Sequence, residues 1–148
     1  GGFMINLKVK KLHPDAIIPT YATDGSACFD LHAVEYGYID DIGYPNIKIG
    51  TGLAFDIPDG WQLLIFPRSG IAFNNRVTLT NAVGVVDADF IGEVCVLLSA
   101  HGDGVLNIKK GDRIAQAQLM PVHRVSFQEV DELIETERGT GGFGSTGV

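Results

Sequence analysis

The sequence predicts an all-β domain, a jelly-roll-like barrel of many short strands, and three observations carry that expectation. Nineteen glycines and six prolines are scattered through 148 residues with no fixed period, the composition of a chain that turns often. Apolar residues recur at alternate positions in several short runs, the pattern of strands with one buried face. No segment sustains the i, i+3, i+4, i+7 apolar spacing of an amphipathic helix, so helix is confined to a short piece near Ser69 to Phe73. A chain of this length with 45% hydrophobic residues can bury one core but not two, so one domain is expected.

Ile5, Leu7 and Val9, with Lys8 and Lys10 between them, open the series as a half-buried strand. Ala27 to Ala33 follows. Leu53, Phe55 and Ile57 alternate up to the turn Pro58-Asp59-Gly60, and Trp61 to Phe66 returns as the expected hairpin partner. Further strands are expected at Arg76 to Leu79, Glu93 to Leu98, Val105 to Ile108, Arg113 to Pro121 and Ser126 to Val130. Tyr36 to Asn46, with its tyrosines and Asp40-Asp41, receives no role. After Glu137 the apolar rhythm stops, and Arg138 to Val148 (RGTGGFGSTGV) can bury almost nothing by itself. The expected organisation is a β domain over residues 4–137 and a mobile, glycine-rich C-terminal lid segment over residues 138–148. Gly1 to Phe3, ahead of Met4, read as a remnant of expression.

The formal charge of -7 argues against a nucleic-acid partner, because phosphate backbones are gripped by clustered Lys and Arg and only eleven are present. A small anion remains open if a few arginines and a metal neutralise it locally. Cys28 and Cys95 make no disulfide framework and read as thiols in a reducing compartment. The longest apolar runs, Trp61 to Pro67 and Val94 to Leu98, fall far short of the roughly 18 residues of a membrane span, and no signal peptide precedes them. The expectation is a cytoplasmic protein without a membrane partner. His13, His32, His101 and His123 have no HExxH or Cys-x-x-Cys setting, so a structural zinc site is not expected.

Five stretches carry chemistry. In SACFDLHA, Ser26 to Ala33, Asp30 is either a solvent-facing strand residue or a functional carboxylate. In PRSG, Pro67 to Gly70, a proline ends a strand and Arg68, Ser69 and Gly70 offer guanidinium, hydroxyl and backbone N–H to a phosphate oxygen; an ordinary turn is the alternative. In NAVGVVDADFIG, Asn81 to Gly92, Asn81 presents a donor and an acceptor suited to a ring amide, and Asp87 can activate a water. A decorated hairpin is the plainer account of that stretch. In GDRIAQ, Gly111 to Gln116, a buried Arg113 would need a partner, either a carboxylate or a ligand. The tail matches G-x-G-x-x-G at Gly139, Gly141 and Gly144, but no helix or later acidic residue follows, which rejects a dinucleotide fold. A glycine-rich backbone closing on phosphate oxygens survives that rejection, beside a disordered terminus.

In order, these five stretches resemble the five motifs of the homotrimeric dUTPase family, over Ser26 to Gly147. The resemblance implies a jelly-roll subunit in a homotrimer with active sites at subunit interfaces. It also implies magnesium-assisted hydrolysis of dUTP to dUMP and pyrophosphate by water attack on the α-phosphorus, limiting uracil in DNA and supplying dUMP. It assigns Asp87 to the attacking water, Asp30 to water ligands of the metal, and Arg68, Ser69, Gly70 and Gln116 to the phosphates. Asn81, with the backbone of Val85 and Val86, would read uracil. In the tail, Arg138 would meet the γ-phosphate, Phe143 would cover the base, and Gly144, Ser145 and Thr146 would wrap the phosphates. Phe90 replaces a tyrosine that faces the deoxyribose, and Cys28 replaces a glycine, which points to ordinary extended backbone there. Two rival readings stand beside this one. dCTP deaminase shares the fold but needs a glutamate where Leu97 stands. A jelly-roll nucleotide-binding or regulatory protein would act by docking a partner, with Tyr36 to Asn46 as its surface.

Overall fold

The computed structural model describes residues 4–147; the expectations for Gly1 to Phe3 and for Val148 lie outside the described residues. The elements run β1 (Lys8–Lys11), β2 (Phe29–His32), β3 (Gly37–Asp40), β4 (Asn46–Gly50), β5 (Leu53–Asp56) and β6 (Trp61–Phe66), then α1 (Ser69–Asn75). They continue with β7 (Val77–Leu79), β8 (Gly84–Val86), β9 (Cys95–Ala100), β10 (Val105–Ile108) and β11 (Arg113–Pro121). The fold is all-β and jelly-roll-like, with sheets made of strands far apart in the chain: β2-β11-β6-β8, β4-β9-β7, β1-β5 and β10-β3. Every pairing is antiparallel. Among the described residues no helix is long and apolar enough to cross a membrane.

One core lies between the sheets. Leu31, Ile39, Ile49, Leu63, Leu98 and Ile114 are almost wholly buried, each from a different strand. Each contributes roughly 1.5–3 kcal/mol by leaving water. Polar groups drawn into this core are satisfied: the Thr51 hydroxyl donates to the Val94 carbonyl at 2.6 Å, and Ser99 bonds both Asn46 (2.7 Å) and Thr80 (2.6 Å).

Four expectations for the strands change. Leu53 to Ile57 and Trp61 to Phe66 are joined by the expected turn but form no hairpin: β5 pairs with β1, whereas β6 pairs with β11 and β8. Alternation reports one buried face and says nothing of which strand lies alongside. Arg76 is not strand; it ends α1 in the left-handed region at φ 53°. Ser126 to Val130 has the alternation but no pairing, and every residue from His123 to Thr140 is exposed, Phe127 at 95%. The unassigned Tyr36 to Asn46 contains β3 and the turn into β4, where the Asp40 carboxylate accepts from the N–H groups of Ile42, Gly43 and Tyr44. Those three bonds hold the Asp40 carboxyl below the usual range, the Tyr44 and Gly43 bonds contributing most.

Candidate active site

The β2-β11-β6 sheet brings three of the five stretches to one place. Register sets Gln116 opposite both Asp30 of β2 and Phe66 of β6. Pro67 lacks an N–H and ends β6, and its carbonyl accepts from Gln116 Nε2 at 2.9 Å. Arg68 follows, and its Nε donates to Asp30 Oδ1 at 3.2 Å. Arg113 Nη1 stands 3.7 Å from Asp30 Oδ2. Arg113 and Gln116 are three residues apart and would face opposite sides of a regular strand. An irregularity in β11 between Arg113 and Ala115 shifts the register and lets both approach Asp30.

Asp30 is therefore not solvent-facing: its side chain is 14% exposed, against 25% for Arg68 and 51% for Arg113. Nor is Arg113 buried. Two guanidiniums around one carboxylate leave a unit of positive charge, and both arginines line a cavity with Ile71, Leu106 and Asp112. Ser69 and Gly70 are exposed in the first turn of α1, whose leading N–H groups have no partner within the helix. Guanidinium, hydroxyl and free backbone N–H groups are the donors that an anion would need.

His32, which the sequence did not mark, belongs to this corner. It lies opposite Arg113 in the register, and its buried Nδ1 finds no hydrogen-bond partner among the described residues. Burial pushes its pKa down; Asp30 opposes that, and Arg113 and Arg68 reinforce it. Its only sequence signal was the D-x-H spacing, which places two side chains on one face of a strand.

The third stretch lies elsewhere on the chain. Val86 pairs with Leu63 near the start of β6, and Gly84 with Ile65. Asp87 thus leaves the sheet at the end of β6 opposite Arg68, roughly 20 Å along a strand that rises ~3.3 Å per residue. Asp87 is exposed and its carboxylate makes no hydrogen bond or ion pair among the described residues, whereas its backbone carbonyl accepts from the Phe90 N–H at 3.1 Å. Asn81 sits in a tight exposed turn: Val83 N–H donates to its carbonyl at 2.6 Å, and Ala82 has φ 61°. Val85 is exposed and Val86 buried.

The tail forms turns of its own. Its hydrogen bonds all fall within Thr136 to Gly147, including Arg138 Nε to the Gly141 carbonyl at 2.8 Å. Phe143 is fully exposed at φ 51°, Gly144 has φ 86°, and Ser145 and Thr146 are exposed. The structure thus gathers Asp30, Arg68, Ser69, Gly70 and Gln116, and leaves Asp87 with Phe90, and the tail, apart from them. Leu97 lies on β9 opposite Lys48; a deaminase acid–base residue is missing there.

Fold and site define a small β protein with a corner of one carboxylate and two guanidiniums at the end of its four-stranded sheet. The family model for dUTPase matches residues 14–147. The chain is similar to the deoxyuridine 5'-triphosphate nucleotidohydrolase of Nautilia profundicola, at 49% identity over 97% of this chain and 99% of that one. Its likeness to the Helicobacter pylori protein of the same name is 44%, over 97% and 98%. The structure of the Staphylococcus bacteriophage 80alpha dUTPase with dUpNHpp superposes with a TM-score of 0.86 at 25% identity, covering 98% of this chain and all of that one. The chain belongs to the dUTPase family.

Proposed function

We propose that this protein hydrolyses dUTP to dUMP and pyrophosphate, as a dUTP diphosphatase. The observation that carries the reading is the corner in which Asp30 holds Arg68 and Arg113 beside Gln116 and the start of α1. A triphosphate needs its charge offset and an in-line water more than it needs covalent chemistry. Arg68, with Ser69 and Gly70, would take phosphate oxygens, and Gln116 would lie beside them. The unpaired carboxylate of Asp87 would accept the proton of the attacking water, a step worth roughly 10²–10⁴-fold. Asn81 and the backbone of Val85 and Val86 would read uracil, since a wrong edge leaves buried polar groups unsatisfied at roughly 1–3 kcal/mol each. Phe90 would face the sugar. Arg138, Phe143, Gly144, Ser145 and Thr146 would close over the nucleotide as a lid.

Magnesium fits this donor set only as an ion shared with the substrate. Among the described residues no three His, Cys, Asp or Glu side chains gather, and each oxygen of Asp30 faces a guanidinium. A cation that keeps several waters and binds mainly phosphates needs one nearby carboxylate, and Asp30 serves through water. The metal would supply charge neutralisation and a fixed phosphate geometry.

We further infer a homotrimer with active sites between subunits. Asp87 and the Arg68 corner lie at opposite ends of one strand, so a single chain does not bring them to one nucleotide. The exposed row Phe127, Leu133 and Ile134 also asks for a covering surface. Free Cys28 and Cys95 suit a cytoplasmic protein.

Pyrophosphate release measured across the common deoxynucleoside triphosphates with magnesium tests the activity: dUTP alone should turn over, and no turnover of dUTP would overturn it. Light scattering tests the assembly, where a fully active monomer would contradict the shared site.

A further inference from the structure

Phe90 and Gly92 are related in a way that the reaction chemistry alone does not require. A Cβ built on Gly92 would stand 2.9 Å from Phe90 Cζ, 3.2 Å from Cε2 and 3.6 Å from Cε1, so the far edge of the ring lies across the Gly92 Cα. The φ of Gly92 is not among the positive ones, so its backbone conformation is open to any residue. The glycine is there for space. Its floor is also anchored. Directly after it, Glu93 Oε2 accepts from the Gly52 N–H at 2.9 Å, and the Val94 N–H donates to the Leu53 carbonyl at 2.8 Å, tying the segment to the buried start of β5. Behind the ring, the Phe90 N–H is bonded to the Asp87 carbonyl. Phe90 therefore leans on a fixed backbone while 45% of its surface stays open.

We propose that Gly92 is a positioning residue for sugar specificity: by lacking a side chain it sets where the Phe90 ring lies, and so where the wall against the 2′ carbon of the substrate stands. The inference rests on the dUTPase reading, in which the open face of Phe90 meets the deoxyribose. A methyl at position 92 must displace the ring, and the cheapest movement is at its far edge, a side-chain end rather than backbone. Folding stability should change little, whereas the gap that excludes a ribose hydroxyl should widen.

The experiment compares kcat/KM for dUTP and UTP in the wild type, Gly92→Ala, Phe90→Ala and the double variant, with thermal melting of each. Gly92→Ala should lower the dUTP-to-UTP ratio about tenfold, the low end of what one methylene achieves in a pocket, with melting nearly unchanged. In the Phe90→Ala background the same substitution should alter the ratio by less than about twofold, because the ring through which it acts is gone. An unchanged ratio in Gly92→Ala, or an equal loss in both backgrounds, overturns the proposal. A substrate-free measurement separates this from a failure of the dUTPase reading. The Gly92 α-protons, close to the far edge of the ring, should carry a ring-current shift in the free protein that disappears in Phe90→Ala. Identical α-proton shifts in the two proteins would refute the ring placement whatever the protein hydrolyses. A wild type inert toward dUTP would refute the activity and with it the sugar wall, and leave the ring placement standing.

Discussion

The corner around Asp30 and the stretch around Asp87 carry the same side-chain chemistry, a carboxylate, yet the fold treats them oppositely. Asp30 is mostly buried, bracketed by Arg68 and Arg113, and flanked by Gln116, which is itself bonded to the Pro67 carbonyl. Asp87 is exposed and has no partner among the described residues, and the tail bonds only to itself. Pairing an acid with arginines fixes its place, which suits a group that organises charge. An acid that must take a proton from water is better left unpaired. Preorganisation is concentrated in the first region; in the proposed assembly, substrate and neighbouring chains would complete the second.

Six changes can break or sharpen that contrast. The largest effect is expected for Asp87→Asn, which keeps the shape and loses the base: kcat for dUTP should fall about 10²–10⁴-fold while melting temperature and dUTP affinity stay near those of the wild type. Near-normal turnover would pass the base to Asp89. Truncation after Glu137 should come next, with activity down by at least about a hundredfold and the urea midpoint unmoved, because that segment adds nothing to the core. Within the tail, Phe143→Ala should give a smaller loss, and Arg138→Ala should lower kcat more than it raises KM if the arginine meets charge developing in the transition state.

Asp30→Ala should behave in the opposite sense to Asp87→Asn. Removing the shared carboxylate leaves Arg68, three-quarters buried, without its charge-assisted partner, and urea denaturation should show a loss of about 1–3 kcal/mol together with a raised KM. Equal stability for the two variants would erase the contrast. The smallest effect belongs to His32. Burial lowers its pKa from 6.5, so below that pH the unfolded chain binds a proton that the folded chain declines. Its contribution is therefore complete above pH 6.5 and is lost progressively as pH falls toward the folded-state value. His32→Gln should flatten the stability profile across that window, measured by urea titration at several pH values; a parallel profile would remove His32 from the accounting.

Local composition decided much of this protein. Alternation at Ile5, Leu7 and Val9 is matched by alternating burial, and β6, β10 and β11 occur where apolar rhythm and turn residues placed them. The short helix was likewise legible, and the motif residues from Asp30 to Thr146 stood out as candidates, because chemistry written in residue types needs no coordinates to be noticed. Three-dimensional structure decided who meets whom. Nothing in the alternation of Leu53 to Ile57 reveals that its partner is β1 and not the adjacent β6, since both pairings bury the same face. Ser126 to Val130 has strand rhythm but no strand, because rhythm becomes structure only against a neighbour, and its own chain supplies none. The irregularity in β11 that turns Arg113 toward Asp30, and the pairing of β6 with β8 that sends Asp87 away from both, follow from hydrogen-bond register between residues far apart in sequence. Register is a property of two strands at once, and one strand read alone cannot contain it.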